Sequence, residues 1–283
     1  MRFLQPETLA EAVDLLGEDP DARTIVAGGT ALVRQLHEGT IAPDLLVSLA
    51  RVPNLDSIWL SDGVLHLGAL SLMRHVAESV AVKQHFPALA RACEVVGSVR
   101  IRNQATLGGN LAEADYATDP PAVLLALNAV VNVAGSGGER GIPLGNFIRG
   151  AFVTALMPGE IITSVSIPLL PLGTRMTYLK FKRGSSPDRP CVSVAAVAAF
   201  DGDKCSDLRV SVGAASPTPR RLPQVEVLAE NQRLTDELIA DIARGYANDI
   251  EPLDDLRGSA WYHTQMIRVH VRRGLEALRD GGR

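Results

Sequence analysis

Apolar residues recur at helical spacing at Leu9, Val13 and Leu16, behind Thr8 as a cap and ahead of Asp19-Pro20-Asp21 as a stop. That pattern predicts a first helix. Residues 23–27 read as a short strand, 30–37 as a helix ending near Gly39, and 45–49 as a second, buried strand. The opening is therefore β-α-β-like. It sets Gly28-Gly29 at the carboxyl end of a strand, where ligands of α/β units bind. From Ser57 the period falls to two. Ile58-Trp59-Leu60 and Val64-Leu65-His66-Leu67 flank Ser61-Asp62-Gly63, a hairpin signal. Helical stretches follow at 72–79 and 86–96, then a basic loop, Arg100-Ile101-Arg102-Asn103-Gln104, and a second glycine pair at Gly108-Gly109. Asp119-Pro120-Pro121 opens an Ala/Leu-rich helix, with Asp119 as N-cap and Pro120 at the first helical position. Strands are expected at 129–134 and 161–167, with Gly135-Ser136-Gly137-Gly138 as a turn between them.

Leu169-Leu170-Pro171-Leu172-Gly173 marks a boundary between residues 1–173 and 174–283. Within the first part, the change of period divides about 1–55 from 56–173. Beyond the boundary come strands at 178–183, 192–200 and 208–214, separated by turns at Ser185-Ser186-Pro187-Asp188 and Asp201-Gly202-Asp203. Helices at 225–230, 236–247 and 261–278 close the chain. Three consecutive strands followed by helices indicate an α+β unit, a small antiparallel sheet with helices on one face.

At 283 residues the chain has room for two domains. A net charge of −4 and a pI near 5.9 argue against a nucleic-acid binder, which usually carries a basic face. The longest apolar run, 192–200, is of strand length, so no stable membrane insertion is expected. The N-terminus lacks an apolar signal core and turns acidic at Glu7, which makes a cytoplasmic location the expectation. Three widely spaced cysteines, Cys93, Cys191 and Cys205, form no C-x-x-C pair, so no zinc or iron–sulfur framework is legible. The histidines fit no ligand spacing, and no metal site or catalytic residue is assigned.

The two glycine pairs carry the candidate chemistry. Ile25-Val26-Ala27-Gly28-Gly29-Thr30-Ala31-Leu32 reads as a strand end, two permissive residues, a hydroxyl and a first helical turn. Such a junction offers unpaired N–H groups to a phosphate, although an ordinary strand–turn–helix connection has the same pattern. Thr106-Leu107-Gly108-Gly109-Asn110 reads as a second compact cluster of donors, a nest for an anion. Two nests in one domain suit a pyrophosphate, with its charge on both phosphates. G-x-G-x-x-G is absent, so a Rossmann dinucleotide fold is not supported.

These motifs, with Asp119, then Phe181-Lys182-Arg183, Val192-Ser193-Val194-Ala195-Ala196 and Asp255-Leu256-Arg257-Gly258-Ser259-Ala260-Trp261-Tyr262, occur in the order seen in one family. The chain resembles, over nearly its whole length, the FAD-binding medium subunit of molybdenum hydroxylases. Members include the medium chain of carbon monoxide dehydrogenase and the flavin domain of xanthine dehydrogenase. The resemblance implies a two-subdomain FAD-binding fold of the PCMH type over 1–173 and a CO dehydrogenase flavoprotein-type α+β domain over 174–283. It implies FAD as cofactor. Residues 25–32 and Thr106, Leu107, Gly108, Gly109 and Asn110 would wrap the pyrophosphate, and Asp119 would accept hydrogen bonds from the cofactor's polar arm. Ile162 and Thr163 would line the site through their backbone, Lys182 would sit near the flavin, and the loop 100–104 would lie beside the ring.

The implied role is an electron-transfer subunit of an oxidoreductase. A small subunit with [2Fe–2S] clusters would deliver electrons from a molybdopterin large subunit, in a dimer of heterotrimers. The lack of cysteine clusters fits that division of labour. A self-sufficient FAD reductase or oxidase, and a non-catalytic FAD-stabilised assembly subunit, are the alternatives. The chain departs from the family at Ala31, where Asp is frequent, at Tyr116, where Pro is frequent, and at His263, where Arg is common. Arg189-Pro190 also follows Asp188 where several relatives have an aromatic residue. Arg257 to Tyr262 reads as a helix-start and packing motif rather than chemistry.

Overall fold

The computed structural model describes residues 1–184 and 189–281; the turn expected at Ser185-Ser186-Pro187-Asp188 lies outside the described residues. The chain forms two compact units. The first comprises Met1–Val76, Val99–Asp115 and Ala129–Ile167, and the second Ala77–Ser98, Tyr116–Asn128 and the chain from Pro168 onward.

In the first unit, strands Arg2–Leu4, Leu45–Ser48 and Arg23–Val26 lie in that order in a parallel sheet. Leu45–Ser48 is the middle strand and is buried throughout, which is why Leu45-Leu46-Val47 is continuously apolar rather than alternating. Helix Leu9–Gly17 sets Ala12, Val13 and Leu16 against Leu45 and Val47. Thr8 caps that helix by accepting the Glu11 N–H at 3.1 Å. The helix after the first glycine pair is Leu32–Glu38, shorter than the pattern suggested, and Gly39 closes it in the left-handed region at φ +68°.

A second sheet has the order Ile58–Ser61, Val64–Gly68, Ile161–Pro168, Val130–Gly135, Gly138–Pro143. Its first hairpin turns at Asp62 and Gly63, with φ of +50° and +75°, the two positive values that a twisted two-residue hairpin requires. Leu65, Leu67, Val131, Val133, Val165 and Ile167 are fully buried, in alternation with polar neighbours such as His66, Asn132 and Ser166.

The second unit holds an antiparallel sheet of Arg175–Phe181, Val192–Asp201, Lys204–Gly213 and Arg220–Arg221. Helices Asp236–Asp249 and Ala260–Arg279 pack on one face through Tyr246, Ile267, Val271 and Leu275, against Val192, Val194, Ala196 and Ala198. The other face is covered too. Ser193, Ala195 and Val197 are fully buried, and helices Pro87–Glu94 and Pro120–Ala126 pack on this sheet. Burial on both faces explains the unbroken small and apolar run from Val192 to Ala199. Inside this unit the Glu226 carboxylate accepts the Val210 N–H at 2.7 Å and the Tyr246 hydroxyl at 2.9 Å, so a buried acid has its partners.

Candidate functional site

Strand Arg23–Val26 runs out at Ala27, and the chain turns through Gly28, Gly29 and Thr30 before its helix. The two glycines are needed for different reasons. Gly29 sits at φ +70°, where a side chain strains the backbone. Gly28 has no such φ, but a Cβ there would lie 1.9 Å from the carbonyl oxygen of Gln104. The first glycine loop thus rests directly on the backbone leading into the second. Among the described residues, the N–H groups of Gly28, Gly29, Thr30, Ala31 and Leu32 donate to no protein acceptor; the first bond closed is Val33 N–H to Gly29 O at 2.9 Å. Ala27, Gly28, Gly29 and Thr30 line a cavity of about 1130 Å³, together with the basic side chains Arg34 and Arg51.

The second glycine loop is built differently. Thr106 caps helix Leu107–Glu113, its Oγ1 accepting the Gly109 N–H at 3.1 Å. Leu107 N–H donates to Ser71 O at 2.9 Å, Gly108 N–H to Ala69 O at 2.8 Å, and Asn110 N–H to Thr106 O at 3.0 Å. The amides expected to form a free nest are therefore already paired, Leu107 and Gly108 by docking on residues 69–71 and Gly109 and Asn110 by the Thr106 cap. Gly108 is what permits the docking: a Cβ would lie 2.6 Å from the Ala69 Cβ and 2.8 Å from its oxygen. Of this loop only Thr106 lines the cavity, beside Gln104 and Ile101 from the basic segment. Ile162 is buried on strand Ile161–Pro168, and Thr163 O accepts the Ala69 N–H at 2.9 Å, so Thr163 is tied to the residue on which Gly108 rests.

Asp119 and Lys182 belong to the second unit. Asp119 stands at the N-cap position of helix Pro120–Ala126, yet its side chain makes no cap bond. Its carboxylate instead takes the Tyr178 hydroxyl on Oδ1 at 2.6 Å and the Lys180 ammonium on Oδ2 at 2.9 Å. Burial pushes the Asp119 carboxyl above its ordinary range, opposed by Lys180, by the Tyr178 hydrogen bond and by the more distant Lys182 charge. Lys182 is half-buried, just past the end of strand Arg175–Phe181. Sequence reasoning missed Tyr178 and Lys180 as partners of Asp119. Alternation sets Tyr178 and Lys180 on one face of strand Arg175–Phe181, but nothing local links that face to Asp119.

Asp255 anchors the motif that precedes the last helix. Its Oδ1 accepts the Arg257 N–H at 2.7 Å and the Gly258 N–H at 3.2 Å, while its Oδ2 accepts the Tyr116 hydroxyl at 3.1 Å. Burial works to raise this carboxyl, but the Arg257 backbone and guanidinium outweigh it and hold it below the usual range. Ser259 then caps helix Ala260–Arg279. His263 Nδ1 lies 2.9 Å from Leu253 O. The motif is thus a turn and a cap.

Residues 1–170 match the family described as FAD binding domain in molybdopterin dehydrogenase, and residues 176–278 match the CO dehydrogenase flavoprotein C-terminal domain. The chain belongs to this family of molybdenum hydroxylase flavoproteins, and its cofactor is FAD. It is 34% identical to the 6-hydroxypseudooxynicotine dehydrogenase complex subunit alpha of Paenarthrobacter nicotinovorans, over 96% of this chain and 92% of that one. It is 29% identical to the carbon monoxide dehydrogenase medium chain of Hydrogenophaga pseudoflava, over 96% and 94%. Carbon monoxide dehydrogenase from Hydrogenophaga pseudoflava superimposes with a TM-score of 0.96 at 28% identity, covering 100% of this chain and 98% of that one. Quinoline 2-oxidoreductase from Pseudomonas putida 86 does so with a TM-score of 0.94 at 27% identity, covering 100% and 98%. The first glycine loop fits this cofactor: among the described residues its amides from Gly28 to Leu32 have no protein acceptor, and a cavity lies beside it.

Proposed function

We propose that the chain is the FAD-carrying electron-transfer subunit of a heteromeric molybdenum hydroxylase. It takes electrons from [2Fe–2S] clusters of a small partner subunit and passes them to an external acceptor, while a molybdopterin large subunit handles the substrate. The relatives named as medium chains or complex subunits support this division. The assembly we propose is a dimer of heterotrimers in the cytoplasm. Among the described residues no helix is long and apolar enough to cross a membrane.

The observation that carries the reading is the set of amides at Gly28–Leu32, which have no acceptor among the described residues, beside the cavity. When bound, FAD supplies the redox chemistry, accepting electrons singly and releasing them in pairs, and the chain supplies binding, orientation and electrostatics. In this reading Ile25 and Val26 deliver the loop from the strand end, and Ala27 to Leu32 hold the pyrophosphate through backbone N–H groups. Thr106 offers its hydroxyl, and Leu107, Gly108, Gly109 and Asn110 form the floor rather than a second set of free donors. Ile162 and Thr163 contribute backbone, Asp119 accepts from cofactor hydroxyls, and Lys182 places a cation that favours a reduced, anionic flavin. The domain boundary proposed with this reading lies between residues 173 and 174.

The test is purification of the chain with whatever accompanies it. Stoichiometric FAD released on denaturation, with an iron–sulfur protein and a molybdenum protein co-eluting, is the expected result; a preparation free of flavin sinks the reading. Turnover of an organic substrate by the isolated chain would instead select a self-sufficient reductase. Lys182→Ala is expected to lower the flavin potential without unfolding the protein, and an unchanged potential returns Lys182 to an ordinary strand-end residue.

A further inference from the structure

The Asp119 carboxylate is not where its position in the helix would put it. An aspartate at an N-cap ordinarily turns back to accept an amide of its own first turn. Here the side chain makes no such bond, and both oxygens are held from strand Arg175–Phe181. Lys180 Nζ is itself fixed by a second acceptor, Val95 O, at 2.8 Å. Two of the ammonium's three protons are therefore aimed, and only 7% of the Lys180 side chain and 3% of the Asp119 side chain is exposed. An ionised carboxylate has about four acceptor sites. Tyr178 and Lys180 take two, which leaves the carboxylate able to accept further hydrogen bonds.

We infer that Lys180, assisted by Tyr178, is a positioning residue for the cofactor: it keeps Asp119 ionised and fixed, as an acceptor for FAD hydroxyl groups. This rests on the reading that Asp119 binds FAD. The groups facing the carboxylate are Tyr178 and Lys180 on the strand, Lys182 just beyond it, and Cys93 on helix Pro87–Glu94. Burial pushes the Cys93 thiol up, and the Asp119 charge pushes it further. The Tyr178 hydroxyl is pushed well up, by burial first and then by Asp119. Both stay protonated at neutral pH, so the ammonium of Lys180 is the charge in direct contact that offsets the cost of burying the carboxylate. Without that ammonium, burial dominates and the carboxyl ionises only at higher pH.

The experiment uses the full chain with its co-purifying partners, stripped of flavin and titrated with FAD across neutral and mildly alkaline buffers. Lys180→Met is expected to weaken FAD binding about tenfold or more at neutral pH, the scale of a lost hydrogen bond to a charged group. The loss should shrink as the pH rises and Asp119 ionises. Lys180→Arg, which keeps the charge, should retain most of the affinity. Asp119→Asn should weaken binding with no pH dependence, and Lys180→Met combined with Asp119→Asn should be no weaker than Asp119→Asn alone. A pH-independent loss in Lys180→Met, or a double variant that adds the two losses, overturns the inference and leaves Lys180 a purely structural ion-pair partner. Wild-type affinity in Asp119→Asn overturns instead the assignment of Asp119 to the cofactor. If Lys180→Met does not fold, Lys180→Gln, which retains a neutral donor, and the double variant answer the same question.

Discussion

Two glycine pairs, nearly alike in sequence, have opposite physical states. Among the described residues the N–H groups of Gly28, Gly29 and Thr30 have no protein acceptor, whereas at Thr106-Leu107-Gly108-Gly109-Asn110 four successive amides from Leu107 to Asn110 already have acceptors. The glycines of both loops serve close approach, Gly28 onto Gln104 O and Gly108 onto Ala69. The difference lies in what each loop does with its amides after docking. A small-residue turn with a hydroxyl beside it identifies a place where chain segments come close, and it does not reveal whether the donors are left over for a ligand. The first loop packs on Gln104 and leaves its amides open among the described residues, whereas the second docks on residues 69–71 and spends its own.

The largest effect that would test this contrast is Gly28→Ala. Its methyl would sit inside the Gln104 carbonyl, so we expect a loss of about 3 kcal/mol or more together with loss of FAD, read from denaturant midpoints and flavin content. Gly108→Ala meets the Ala69 Cβ and oxygen less severely. It should cost about 1–3 kcal/mol, yet the fraction that remains folded should bind FAD with near-normal affinity. Weak binding in folded Gly108→Ala protein would mean that the second loop contacts the cofactor directly. Gly29→Ala has room for its methyl, with Val33 Cγ2 at 3.5 Å, but sits at φ +70°. A cost of about 1 kcal/mol is expected, with a disproportionate drop in FAD affinity because the strain falls on the open amides. A drop no larger than that of Gly108→Ala would erase the distinction between the loops. Thr106→Ala, the smallest change, removes one cap and should cost about 1 kcal/mol by thermal melt, with a modest loss of affinity.

Much of the fold was legible because its signals are local. Thr8 capping a helix with Leu9, Val13 and Leu16 on it, Asp62-Gly63 turning a hairpin, and Ser259 starting the last helix each depend on a few neighbouring residues. The cover on the second face of the C-terminal sheet was not legible as a topology, although the run Val192 to Ala199 was its trace. Its helices, Pro87–Glu94 and Pro120–Ala126, come from earlier in the chain. At the candidate site, the glycine pairs and Thr106 could be singled out from the sequence. The Tyr178–Asp119–Lys180 cluster could not, since its members are separated by 59 and 61 positions and Asp119 carries an ordinary capping signature.

The sequence by itself determined where backbone freedom, caps and apolar faces lie, because φ preferences, capping and periodicity act within a few residues. Its ordered motifs also determined the family and the cofactor. Only the tertiary structure decided which donors remain open and which carboxylate oxygens are taken. Those outcomes depend on segments remote in sequence, Gln104 beneath Gly28, Ala69 beneath Gly108 and Lys180 beside Asp119, whose proximity is settled by packing.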